Sequence, residues 1–140
     1  MPSRGRIVAI DPGTRRIGLA VSDPSGSIAQ PLETVMVEPE ATVVERLRVR
    51  IKELGASEVV IGLPYRMDGS SGPEVYSAKS LASLLRAATG LRVTMVDERL
   101  TTVAAERAMR GSGTRSARRR ELSDQVAAAL ILQTHLGRRH

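Results

Sequence analysis

The sequence predicts an α/β fold, a five-stranded mixed sheet flanked by helices, with its first three strands as an antiparallel meander. Two observations predict it. The first three β-type apolar runs are separated only by tight-turn residues, which suits antiparallel neighbours. The later runs alternate with stretches whose apolar residues recur every three or four positions, which suits helices between strands. The order reads β-β-β-α-β-α-β-α-α.

Each element has a local reason. Ile7–Ile10 is a short β-type run broken by Asp11-Pro12-Gly13, a turn signal. Ile17–Val21 is a second strand, and Asp23-Pro24-Ser25-Gly26 turns it toward a third around Leu32–Val37. Pro39 suits the first turn of a helix whose inner face is Val44, Leu47, Ile51 and Leu54, with Gly55 placed to stop it. Val59–Ile61 is a strand ended by Gly62-Leu63-Pro64, and residues 65–73 read as a polar, mobile loop. Pro73 opens a second helix with Ala78, Leu81, Leu85 and Ala88 on one face and Gly90 past its end. Val93–Val96 runs into Asp97-Glu98-Arg99. A helix over roughly 102–110, a Gly/Ser/Arg loop and a last helix from near 116 to Leu136 complete the pattern.

At 140 residues the chain is expected to be one domain, 1–140, long enough to bury roughly two-thirds of its unfolded surface. It has no cysteine, so thiolate zinc sites, thiol nucleophiles and disulfides are excluded. The longest apolar run, Val126–Leu132, is far short of the ~20 residues a membrane helix needs, and no secretory h-region opens the chain. No membrane role and a cytoplasmic location are expected. Tyr65 and Tyr76 are the only aromatics, which argues against stacking several bases on rings.

The net charge of +6 is local. Segment 99–120 holds seven arginines (99, 107, 110, 115, 118, 119, 120) against Glu106 alone, and the rest of the chain balances. Guanidinium is the side chain best shaped to fork a phosphate, so this segment is read as a nucleic-acid contact rather than a solvated loop.

Three acidic places stand apart from the solvated helix faces. Asp11 ends the first strand, either as a turn aspartate or as a site residue; Gly13 and Gly18 leave room for a phosphate or metal to approach the backbone. Asp97 and Glu98 end another strand, and adjacent strand residues point to opposite faces, so one faces a site while the other turns away or caps a helix. A plain helix start with Thr101 or Thr102 as N-cap is the competing reading. Asp124 borders the apolar run of the last helix. Three carboxylates at strand ends and a helix face repel unless a divalent cation neutralises them, and hard oxygen ligands select Mg²⁺ or Mn²⁺. Two such ions beside an arginine-rich surface suit in-line phosphodiester cleavage. His135 and His140 have no ligand spacing and are read as surface residues.

These residues resemble the YqgF/RuvX family, ribonuclease-H-like proteins to which both Holliday junction resolution and cleavage of pre-16S ribosomal RNA have been ascribed. The matching segments are Ile10-Asp11-Pro12-Gly13 with Ile17–Ser22, Gly62-Leu63-Pro64, Asp97-Glu98-Arg99-Leu100-Thr101-Thr102, and Asp124 with Ala127-Ala128 and Ile131-Leu132. They span residues 7–133. The resemblance implies a ribonuclease-H-like fold and a catalytic, metal-holding triad of Asp11, Glu98 and Asp124, and so picks Glu98 from the adjacent pair. It places Glu121 where RuvC-type resolvases carry a fourth acid. By analogy Asp11 bridges two ions bound with substrate, and Glu98 and Asp124 hold one each. Thr14, Arg15 and Arg16 then contact the scissile phosphate. Arg99, Arg110, Arg115, Arg118, Arg119 and Arg120 hold the nucleic-acid backbone, and Tyr65 with the 66–73 loop touches a base or sugar.

The expected function is a divalent-metal-dependent nuclease acting on structured RNA or branched DNA, with processing of the 5′ end of pre-16S ribosomal RNA preferred. Symmetric junction cleavage needs a two-fold dimer, and the sequence shows no heptad seam, so a monomer or weak homodimer is expected. The alternatives are a Holliday junction resolvase and a non-cutting binder of structured nucleic acid. An actin-type or sugar-kinase-type nucleotide-binding module would need a second domain.

Overall fold

The computed structural model describes residues 5–101 and 117–138. Its elements are β1 (Arg6–Asp11), β2 (Arg16–Ser22), β3 (Ala29–Met36), α1 (Val43–Glu53), β4 (Ala56–Leu63), α2 (Pro73–Thr89), β5 (Arg92–Asp97) and α3 (Ala117–Arg138). The strands form one sheet in the order β3-β2-β1-β4-β5. β1, β2 and β3 pair antiparallel, and β1, β4 and β5 pair parallel. This is the expected mixed sheet with its opening meander.

The two faces of the sheet follow from strand alternation. Val8, Ile10, Ile17, Leu19, Val59, Ile61 and Val93 point to one side, where α1 supplies Val43, Leu47 and Ile51 and α2 supplies Ala78, Ala82 and Leu85. Ile7, Ala9, Ala20, Val60 and Val96 point to the other, where α3 supplies Ala127, Ala128, Ile131, Leu132 and Leu136.

The structure adjusts several sequence expectations. β3 begins at Ala29, earlier than the run around Leu32–Val37 suggests. It lies at the sheet edge, where Pro31 costs no central ladder bond, and the register against β2 shifts between Leu19 and Ala20. Pro39 stands ahead of a 3-10 turn, Glu40–Thr42, and α1 starts only at Val43. Ala88 is exposed rather than on the inner face of α2. The stripe Ala78, Ala82, Leu85 continues at the half-buried Thr89, as a 3.6-residue repeat requires. The 65–73 loop carries its own hydrogen bonds: Gly69 N–H donates to the Arg66 carbonyl at 2.8 Å and Ser70 N–H to Asp68 Oδ1 at 2.8 Å. The helix expected over 102–110, and His140, lie outside the described residues.

His135 is a correction. It is buried, not a surface residue. On α3 it falls four residues after Ile131, on the helix's inner face, and its Nε2 comes to 3.1 Å from Glu58 Oε2 on β4 without hydrogen-bond alignment. Glu58 also accepts from Thr94 Oγ1 at 3.1 Å, so a small polar cluster sits under the C-terminal half of α3.

Candidate active site

The sheet delivers two carboxylates to the same edge and face. Asp11 is the last residue of β1, and Ile7, Ala9 and Asp11 alternate onto the α3 side. Glu98 follows the last residue of β5, in step with Val96 on that side. Both are 3% exposed. Asp97 points the other way and does a separate job. Its Oδ1 accepts from Arg99 N–H at 2.9 Å, capping the 3-10 turn Glu98–Leu100, and its carboxylate pairs with the Arg99 guanidinium at 2.7 Å. That hydrogen-bonded guanidinium holds the Asp97 carboxyl below the usual aspartate range. The alternation read from Asp97-Glu98 is therefore observed, with Asp97 capping the short turn; the helix for which Thr101 or Thr102 is expected as N-cap lies outside the described residues. Thr101 closes the far end of the turn, its hydroxyl donating to the Glu98 carbonyl at 2.7 Å.

The third carboxylate arrives on a helix. Asp124 is brought to β2 by Gly18, which is opposite Asp11 in the β1–β2 register. A Cβ on Gly18 would lie 2.1 Å from the Asp124 carbonyl oxygen and 3.1 Å from its Cβ. Glycine is thus required for α3 to rest against the sheet there. Gly62 on β4 works the same way for Glu98: a Cβ would lie 2.6 Å from Glu98 Oε2 and 2.6 Å from Ile131 Cδ1. The space at Gly18, expected to admit a phosphate or metal, is filled by the protein's own α3. At Gly13 it is filled by the Arg16 carbonyl, 2.2 Å from a would-be Cβ, so this turn tolerates only glycine.

Asp124 Oδ2 accepts from Arg16 Nε at 2.9 Å. Among the described residues, no three of His, Cys, Asp and Glu are gathered closely enough to share one ion. Arg16 and Arg99, both expected at a phosphate, are thus engaged by carboxylates. Arg99 also lies over the Tyr65 ring, 5.3 Å from its centre, with Lys79 Nζ at 6.0 Å. Thr14 and Arg15 are exposed in the turn after Asp11. Arg118, Arg119 and Arg120 fall in the first turn of α3. Arg110 and Arg115 lie outside the described residues, as do the side chains of Arg118–Arg120 and Glu121. A groove of about 640 Å³ opens on the opposite face, lined by Thr14, Ile17, Val44, Tyr76, Leu81 and Leu84, and none of the three carboxylates lines it.

Gly62 as a clearance for Glu98, and Glu58 beside His135, are not evident from sequence spacing. The strand register and the seating of α3 reveal both.

Sheet order and helix placement define a ribonuclease-H-like α/β protein. The fold matches RuvC of T. thermophilus, solved in complex with a Holliday junction substrate, with a TM-score of 0.58 at 19% identity over 96% of this chain and 95% of that one. A profile described as "RuvX: Holliday junction resolvase" matches residues 5–138, and the chain belongs to that family. A relative from Mycobacterium sp. (strain KMS) is 45% identical over 99% of this chain and 83% of its own length. One from Moorella thermoacetica is 44% identical over 95% of both chains. Both are named, provisionally, as pre-16S rRNA nucleases.

Proposed function

We propose that this chain is a divalent-metal-dependent nuclease that cleaves the 5′ region of precursor 16S ribosomal RNA, with Asp11, Glu98 and Asp124 as its acidic residues. One observation carries the reading: three carboxylates from three separate elements reach the same edge and face of the sheet, two of them buried, with Gly18 and Gly62 clearing the space they need. Three hard oxygen donors suit Mg²⁺ or Mn²⁺ rather than softer metals. Such ions supply an activated water and stabilise the leaving oxygen of a phosphodiester.

The chain's own residues do the rest. Asp11 and Glu98 are held by strand ends, so they are preorganised. Asp124 is carried on a helix whose backbone rests on β2. Thr14 and Arg15 stand exposed beside Asp11, where a phosphate can be gripped by hydroxyl and guanidinium. The arginines at 110, 115 and 118–120 extend that grip along the backbone. The chain acts as a monomer or weak homodimer in the cytoplasm.

A second reading, Holliday junction resolution, is favoured by the family description and the RuvC-like fold. The test is incubation of wild type and Asp11→Asn with labelled precursor 16S RNA and a synthetic four-way junction, in Mg²⁺, Mn²⁺ and chelator. Metal-dependent cutting of the RNA, reduced about a thousandfold in Asp11→Asn, is expected. Paired symmetric nicks in the junction alone would move the reading to recombination. Tight binding without cutting in any metal would overturn the nuclease reading.

A further inference from the structure

The Arg16 guanidinium holds Asp124 across the interface between β2 and α3. The Asp124 carbonyl rests against Gly18, and the Arg16 carbonyl rests against Gly13. Both residues of the pair are thus seated against glycines. The ion pair joins residues 108 positions apart, with side chains 24% and 13% exposed. Both side chains are partly exposed, which leaves room for them to rotate apart. A guanidinium at 2.9 Å from Oδ2 occupies an oxygen that a divalent ion would use, and its charge repels that ion.

We infer that Arg16 is an exchangeable counter-ion. It holds Asp124 until a divalent cation takes its place, and it then turns toward the substrate phosphate. Guanidinium forks a phosphate as readily as a carboxylate, so the released side chain has a partner of the same shape. Arg16 begins β2 directly after Thr14 and Arg15, within the turn proposed to face the phosphate. Ion loading and substrate grip are thereby coupled: the ion frees the arginine, and the phosphate keeps it from returning. This rests on the nuclease reading, with Arg16 as a positioning residue rather than a catalytic one.

The test has a readout apart from cleavage. In the intact chain without nucleic acid, Mg²⁺ is titrated while the Arg16 side-chain Nε–H and the backbone amides near Asp11, Glu98 and Asp124 are followed by NMR. Mn²⁺ affinity is measured in parallel by electron paramagnetic resonance. The expected result is that Arg16 Nε–H loses its hydrogen-bonded signature as those amides shift. Arg16→Gln binds Mn²⁺ about tenfold tighter, Arg16→Lys falls between, and Arg16→Gln gives no gain in an Asp124→Asn background. Nucleic-acid binding in Mn²⁺ weakens in Arg16→Gln. If the amides shift while Arg16 Nε–H stays bonded, or if Arg16→Gln binds Mn²⁺ no better, the exchange is refuted and the metal site stands. If no amide near the three acids responds to Mg²⁺ with or without RNA, the nuclease reading itself fails, and the exchange with it.

Discussion

The two faces of the sheet are built from different residues. On the α1/α2 side, branched aliphatic side chains interlock: Ile10, Leu19 and Ile61 meet Leu47, Ile51 and Leu85. On the α3 side alanines take a larger share: Ala9, Ala20, Ala127 and Ala128 stand among Ile7, Val60, Val96, Ile131, Leu132 and Leu136, with Gly18 where the helix backbone meets β2 and Gly62 against the Glu98 and Ile131 side chains. Large side chains bury area and fill volume, and they hold a helix at a distance. Small ones surrender burial so that a helix backbone can approach a strand. One face is therefore filled chiefly by large aliphatic side chains, and the other lets the Asp124 end of α3 rest directly on β2.

The division can be broken or sharpened by substitution. Leu85→Ala removes a fully buried side chain from the aliphatic face and is expected to lower stability by about 2–5 kcal/mol. Cleavage per folded molecule should be unchanged; denaturant unfolding and single-turnover cleavage on one preparation check both, and a deeper loss of cleavage would break the comparison. Gly18→Ala forces a methyl into the Asp124 carbonyl and is expected to cost about 1–3 kcal/mol, with cleavage falling far beyond the folded fraction. Cleavage equal to wild type would show that close helix approach is not needed.

His135→Ala probes the other end of α3. It leaves a hole and strips Glu58 of its close neighbour, at an expected cost of about 1–3 kcal/mol by thermal unfolding, with cleavage preserved. The smallest effect concerns the acids that serve turns. Asp97 is lowered by the Arg99 guanidinium. Asp23 is lowered to about 2 by the Ser25 hydroxyl and the Ile28 and Ser27 amides. Carboxyls lowered in the folded state contribute stability above their ordinary value near 4, and that contribution is lost as pH falls through the folded value. Between pH 5 and 2, Asp23→Asn and Asp97→Asn should lose less melting temperature than wild type. An identical slope would mean that these turns are formed without the charge.

Much of this division is legible in the sequence. Strand positions, the meander and the faces of α1 and α2 follow from period-two and helical spacing, which are local. Adjacent Asp97 and Glu98 show that one must turn away, because strand alternation is also local. What was not legible depends on contacts distant in sequence. Gly18 looks like room for a ligand until Asp124, more than a hundred residues on, is seen filling it. His135 looks like a polar residue near a chain end until α3 lays it against Glu58. Arg16 looks like a phosphate contact, and in the structure it is paired with Asp124.

The late position of α3 has a consequence for the protein's birth. Asp11 emerges from the ribosome early, but the third carboxylate is encoded more than a hundred residues later. At ~5–20 residues per second that interval lasts about 6–20 s. During it the nascent chain carries Asp11 and Arg16 but not Asp124, so Arg16 cannot pair with that carboxylate, and Gly18 cannot receive the backbone of α3, until the last helix has been made.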